Sequence, residues 1–237
     1  MLWPKIAFAL ICSATLLPAQ TLPAGTALPV ELNSTLSAKD EKPGRKIEGK
    51  LMQEVQLPSG AVIKRGSRVA GHIVSAQPTR LTLQFDQIQD EHKNIPLTVS
   101  VRAIAASENV FQAGTPIDAA STDESSDEWA TKQVGGDVVL RGRGLVTSNE
   151  GRVGRWSGTG VWGKLTAAGD CSDSSTGEQA LWVFSTTACG VYGIEGLTMV
   201  NATSASAGQV TLQSEKDILV RGGSGWLLVT ASAAAAH

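Results

Sequence analysis

The chain has 237 residues, of which 42% are hydrophobic and 18% are charged, and its formal net charge is −2 at pH 7. This length is sufficient for one substantial hydrophobic core or two small ones. The slight acidic excess gives the chain as a whole no electrostatic attraction for nucleic acid or for an anionic membrane surface. We therefore expect no nucleic-acid partner.

Residues 1–20 have the pattern of a secretory signal peptide. Lys5 supplies a cationic start, residues 6–17 are apolar, and the small Ala19 precedes the expected cleavage point. The apolar stretch is shorter than the roughly 20 residues that span a bilayer, which disfavours a retained anchor. The pattern predicts a periplasmic or secreted protein of the bacterial cell envelope, with no transmembrane segment after signal removal.

Signal removal leaves two cysteines, Cys171 and Cys189. In an oxidising compartment the simplest arrangement of two cysteines is one disulfide. Closing the loop between these two cysteines stabilises the fold by about 3 kcal/mol in the loop-entropy treatment. A reactive thiol is the alternative, but the sequence has neither a CxxC motif nor a histidine nearby. We predict a disulfide.

Residues 26–106 alternate apolar and polar side chains with a period of two, which is typical of strands with one buried face. The alternation is clearest at residues 28–32, 47–57, 81–85 and 95–101. Turn-forming Gly, Pro, Asn and Asp residues separate these runs, and no helical period intervenes. The pattern predicts an all-β fold that begins as a small barrel or meander over residues 21–106.

The composition changes at residues 107–128, which contain six acidic residues and no Lys or Arg among Ser, Thr, Ala and Gly. Such a stretch buries too little apolar surface to offset the entropy lost on ordering. It predicts an acidic flexible linker over residues 107–135. Binding of cations or of a basic partner is the less favoured interpretation of these acids.

Residues 136–237 form the second β-rich part of the sequence and contain the disulfide and a closing strand near the C-terminus. This part is rich in Gly, Ser, Thr and Trp, and short β-prone runs recur along it. It is either a separate subdomain or an insertion into the first barrel, and periodicity leaves both alternatives open.

Three glycine-containing segments carry a family resemblance: LPAGTALPVEL at residues 22–32, IKRGSRVAG at residues 63–71, and DILVRGGSGWLLV at residues 217–229. Together they resemble the periplasmic barrel of TrbI-like conjugation proteins, the outer-core scaffolds of type IV secretion systems. The pattern places Gly25 and Gly66 at tight strand entries and Gly71 at a bend or bulge. The family's membrane anchor, proline-rich arm and outer-membrane hairpin have no counterpart here, so the resemblance implies its fold more than its channel function.

Catalytic and metal-binding motifs are missing from the sequence. His72, His92 and His237 are the only histidines, and none has the spacing of a metal site. No GxSxG motif or phosphate-binding glycine loop is found in a suitable context. We predict no enzymatic activity, no cofactor and no metal, with a hydrolase that uses an unidentified pair of acids as an alternative.

Trp156 and Trp162 are six residues apart and are flanked by glycines. On one continuous strand they would share a face and form a platform for stacking a sugar, although large aromatics more often form the core.

We predict an exported, non-enzymatic β-protein acting as a cell-envelope scaffold or binding module. A carbohydrate- or peptidoglycan-binding module is the alternative. The expected partner is an envelope protein or polysaccharide, and a homo-oligomer is compatible with the sequence.

Overall fold

The computed structural model of the protein describes residues 22–91, 93–115, 129–136, 138–157, 160–201 and 208–231. Within these ranges the chain forms 20 β-strands and one α-helix. The predicted all-β class is confirmed. The signal peptide at residues 1–20, His92, His237 and residues 116–128 of the acidic segment lie outside the described residues.

The strands before the helix are β1 (Ala27–Leu32), β2 (Leu36–Ser37), β3 (Lys46–Leu51), β4 (Val55–Gln56), β5 (Val62–Ile63), β6 (Arg68–Gln77), β7 (Arg80–Asp90), β8 (Lys93–Pro96) and β9 (Val99–Ala105). The helix α1 (Ser107–Gly114) is followed by β10 (Trp129–Lys132), β11 (Val138–Gly142), β12 (Leu145–Ser148), β13 (Gly151–Ser157), β14 (Gly160–Gly163) and β15 (Gln179–Trp182). The last strands are β16 (Gly190–Tyr192), β17 (Thr198–Asn201), β18 (Gln209–Gln213), β19 (Leu219–Val220) and β20 (Gly225–Thr230).

The larger sheet has ten strands in the order β16-β9-β20-β1-β3-β6-β7-β18-β17, with β8 also paired to β7. β1 pairs with β20 over residues 27–31 and 225–229, so the two ends of the described chain lie side by side. The sheet curls into a half-barrel around a single core. Trp226 lies in this core and meets Phe85 edge-on, with the ring centroids 5.7 Å apart.

A second sheet has six strands in the order β10-β11-β12-β13-β14-β15. It is inserted between β9 and β16, because the chain returns to the larger sheet at β16. The predicted division at residue 136 is therefore corrected: the insertion begins at β10, and residues 190–230 belong mostly to the larger sheet. Val134 forms a parallel bridge with Phe184, which brings the outer strands of the insertion together.

The insertion packs against the outer face of the larger sheet. Leu181 and Phe184 from the insertion belong to one buried cluster with Ala27, Leu227 and Val229 from β1 and β20. β20 is consequently buried along its whole length. A strand covered on both faces reads as a continuous apolar run, which is why the closing segment lacks the alternation of the other strands.

The helix α1 corrects the linker prediction for residues 107–114, and strand β10 corrects it for residues 129–132. Val110 and Ala113, three residues apart on one helix face, are buried in the cluster beneath the insertion. Burial of these two side chains offsets conformational entropy that the segment loses on ordering. The average composition of the segment did not predict this burial. No helix in the described ranges is long and apolar enough to cross a lipid bilayer.

Candidate functional site

The three predicted glycines shape the larger sheet. Gly25 lies in the turn before β1 with φ +78°, and Gly66 lies in the turn before β6 with φ +88°, a conformation that side chains other than glycine rarely adopt. Gly71 lies on β6 where the register with β7 shifts, and a Cβ atom there would come 2.1 Å from the carbonyl oxygen of Gln84. These glycines therefore set strand geometry.

Trp156 and Trp162 lie on two different strands, so the premise of one continuous strand was wrong. β13 ends at Ser157 and β14 begins at Gly160. Trp156 is opposite Val161, whereas Trp162 is opposite Arg155. Paired residues share a face and neighbours in a strand do not, so the two indoles point to opposite faces of the insertion. They cannot form one stacking platform.

Each indole is also covered by an arginine. The Arg155 guanidinium carbon lies 4.9 Å from the Trp162 ring centroid, and the Arg141 guanidinium carbon lies 4.8 Å from the Trp156 ring centroid. Trp162 is 3% exposed and packs with the core of the larger sheet. A sugar would have to displace an arginine to stack on either ring.

His72 lies on the outer surface of the larger sheet, in a groove of about 300 Å³ over β3, β6 and β7. Its Nδ1 is 2.8 Å from Oδ2 of Asp86. The other carboxylate of this groove, Glu48, is ion-paired with Arg68. Both acids thus have basic partners, and the groove does not supply a free acid pair for the hydrolase alternative. Among the described residues, no three His, Cys, Asp or Glu side chains are grouped to hold a metal ion.

Cys171 and Cys189 form a disulfide immediately before β16. The Tyr192 hydroxyl donates to the carbonyl oxygen of Cys189 (2.7 Å) and accepts the Cys189 N–H (2.9 Å). The backbone of Cys171 pairs in both directions with Ala168. The disulfide and these hydrogen bonds hold β16 against the loop between β14 and β15.

Arg102 on β9 binds the same loop. Its side chain leaves β9, is almost completely buried, and donates to the carbonyl oxygens of Ala188 (2.9 Å), Asp173 (2.7 Å) and Thr166 (2.5 Å). Burial lowers the pKa of Arg102, and the Asp173 carboxylate 3.9 Å away opposes that shift. The guanidinium therefore acts as a structural clamp between β9 and the disulfide loop.

The larger sheet remains open between its terminal strands, β16 and β17. β16 runs parallel to β9, and β17 is antiparallel to β18. The two strands follow one another along the chain and run in opposite directions, as in a hairpin, yet no backbone ladder joins them within residues 190–201. Each strand thus has one edge without a strand partner in the described part of the chain.

We call the opening between β16 and β17 the seam. A side chain bridges the seam at one end. Asn201 on β17 accepts the Val101 N–H through Oδ1 and donates from Nδ2 to the Val101 carbonyl oxygen, each at 2.8 Å. The pairing of β16 with β9 begins at Ala103. Asn201 therefore supplies the hydrogen-bond partners of β9 just before the first residue of β16. At that point a side chain, and not a strand, joins the two sides of the seam.

Between β16 and β17 lies a groove of about 520 Å³. Its floor and walls combine the disulfide with aliphatic side chains and strand backbone, from Asp170, Cys171, Cys189, Gly190, Val191, Leu197, Thr198, Met199, Val200 and Asn201. Val200 is 53% exposed. The sequence indicated the disulfide, but a single asparagine has no pattern that predicts the seam.

No protein-family model matches the chain, and comparison with curated proteins finds no similar sequence. The TrbI-like resemblance therefore stays a prediction.

Proposed function

We propose that the protein is an exported, non-enzymatic binding module of the bacterial cell envelope, TrbI-like in fold, that binds an extended segment of a partner protein between β16 and β17. One observation carries this proposal. β16 and β17 are successive along the chain, are the two terminal strands of the larger sheet, and lie on opposite sides of a groove. An unpaired strand edge is a template for another strand.

The groove has the chemistry for strand addition. An added strand receives its affinity from backbone hydrogen bonds and its specificity from pockets for alternate side chains. The four residues of β17 offer an edge of about 13 Å. Val191, Leu197 and Met199 supply an apolar lining, and the exposed Val200 marks the outer rim. A partner segment with aliphatic side chains at alternate positions fits this lining.

The compartment agrees with this function. The signal pattern of residues 1–20 directs export, and the disulfide beside the groove persists in an oxidising compartment. The disulfide and the Arg102 clamp hold β16 rigidly. A rigid edge binds a strand with less loss of entropy than a mobile one.

A photo-crosslinking side chain at position 200 tests the proposal directly. We expect adducts in the periplasm of the expressing bacterium, mapped by mass spectrometry to one short segment of a partner or of a second copy. The same side chain at Val62, a valine on β5 that is 46% exposed, serves as the matched control. We also expect Met199→Lys to abolish the adducts, because a charged edge opposes strand pairing.

Equal yields at positions 62 and 200, or adducts scattered over many unrelated segments, would contradict strand binding at the seam. Loss of adducts in the lysine variant is informative only if the variant folds. Its thermal unfolding is therefore compared with that of the parent protein.

A further inference from the structure

The β11–β12 hairpin projects from the inserted sheet with an unusual distribution of apolar side chains. Arg143 and Gly144 join the strands with φ +47° and +77°, the positive values of a tight two-residue hairpin turn. One face of the hairpin carries Val139 and Val146, which are buried within the insertion. The opposite face is also apolar, although it is exposed.

Strand register defines this second face. Val138 and Leu140 alternate along β11, and Leu145 is opposite Gly142 at the end of the same row. Their side chains therefore point the same way. Val138, Leu140 and Leu145 are 48%, 49% and 43% exposed, which makes them three of the seven large hydrophobic residues that are exposed in the described ranges. We call these three residues the hairpin patch.

Basic side chains flank the hairpin patch on both sides. Lys132 is opposite Val138, Arg155 is opposite Leu145, and Arg152 lies farther along the row that contains Leu140. The exposed Arg143 lies at the hairpin turn. Among the described residues, two carboxylates oppose these four cations: Glu178, which is ion-paired with Arg155 and Arg152, and the exposed Glu150. Asp137, which precedes Val138 in the sequence, is a third acid. With Asp137 counted, four cations and three acids leave the patch region with one net positive charge, although the chain as a whole is negative.

We propose that the hairpin patch rests on an anionic lipid bilayer, with its aliphatic side chains in the interface and Lys132 and Arg143 at lipid phosphates. Aliphatic side chains bordered by Lys and Arg are the composition that binds the interface of anionic bilayers. The patch exposes roughly 200 Å², about a quarter of what each partner contributes to a standard protein–protein interface. A bilayer needs no matching surface of fixed shape, so the small area of the hairpin patch favours a lipid occupant over a protein.

This membrane contact is separate from the seam between β16 and β17, and it goes beyond the proposed function. It would hold the protein at a membrane while the seam remains free to bind a partner strand. Failure of one proposal leaves the other intact, because the two surfaces share no residue.

Flotation of residues 21–237 with vesicles tests the proposal. We expect co-flotation with vesicles of 70% phosphatidylcholine and 30% phosphatidylglycerol by composition, and none with phosphatidylcholine alone. Leu140→Ser with Leu145→Ser should abolish co-flotation. Lys132→Gln with Arg143→Gln should weaken it by about fivefold per cation removed. Leu219→Ser replaces an exposed leucine on β19, away from the hairpin, and should leave co-flotation unchanged.

Three results would overturn the proposal: no co-flotation of the parent protein, equal co-flotation with neutral vesicles, or unchanged co-flotation of both hairpin variants. Retention on immobilised polyglutamate without binding to vesicles would likewise reject a lipid partner in favour of a polyanion. The charge variant replaces exposed side chains only and keeps the apolar residues. It therefore preserves the test if the double serine variant fails to fold.

Discussion

Asn201 and Val101 are joined by two hydrogen bonds of 2.8 Å, so that one carboxamide satisfies both backbone groups of a residue on another strand. We expect Asn201→Ala to lower the free energy of unfolding by about 1–3 kcal/mol, because the N–H and C=O of Val101 lose their partners. Urea denaturation measures the loss. Hydrogen exchange should show faster exchange of the Val101 amide in particular.

Asn94→Ala is the matched control for this substitution. Asn94 lies exposed on β8, and its replacement should change the free energy of unfolding by less than about 0.5 kcal/mol. Equal losses at positions 94 and 201 would show that the Asn201 bridge adds nothing to the stability of the seam.

Arg102→Met should be strongly destabilising, by about 3 kcal/mol or more, since three carbonyl oxygens lose a charged donor that is itself almost completely buried. Arg102→Lys should recover only part of this loss, because an ammonium group cannot reproduce the planar fork of a guanidinium. Urea unfolding of the three proteins gives the ranking. A lysine variant as stable as the parent would contradict the clamp geometry.

The disulfide and Arg102 hold the same loop, so their effects should not add. We expect replacement of both cysteines by serine to cost about 3 kcal/mol, but to cost less in the Arg102→Met background, where the loop is already released. A double-mutant cycle under oxidising conditions measures the coupling. Strict additivity would show that the two features stabilise the loop independently.

Much of the larger sheet was predictable because its strands bury one face. Leu81, Leu83 and Phe85 alternate with polar residues, and the structure places all three in the core of the larger sheet. Alternation cannot show which strands are neighbours, since pairing depends on distant residues. The contact between β1 and β20 joins residues about 200 positions apart and was identified in the sequence only as an open alternative.

The candidate site was harder to predict for a related physical reason. Arg102 interrupts an apolar run on β9, and its three acceptors come from positions 166, 173 and 188. Local sequence does not encode such convergence. The helix α1 was missed because Val110 and Ala113 make up only a small apolar face in an acidic segment. That face becomes stabilising only when the insertion covers it.

Trp162→Ala should act on stability and not on ligand binding. The side chain is almost fully buried in the core of the larger sheet, and its truncation should cost about 3–5 kcal/mol. Pull-down on insoluble envelope polysaccharide, with folded Trp156→Ala and Trp162→Ala proteins at low temperature, separates the two roles. Retention that is lost in both folded variants would support the carbohydrate-binding alternative.

Arg141 provides the sharpest test of buried charge. Within the described residues it is 3% exposed, and its Nε and Nη2 atoms have no hydrogen-bond partner. Burial lowers the pKa of Arg141 to about 10. Because burial disfavours the charged form more than the contact with the Trp156 ring stabilises it, Arg141→Met should raise the free energy of unfolding at pH 8, by about 1–3 kcal/mol.

The advantage of Arg141→Met should shrink as the pH rises through 10. Above that pH the folded parent protein releases the Arg141 proton while its unfolded state still holds it, so the penalty of the buried charge diminishes as the pH rises further. Urea unfolding of both proteins at pH 8 and pH 10.5 measures this difference. A constant difference, or a parent protein that is the more stable at pH 8, would mean that the guanidinium is compensated in the folded state.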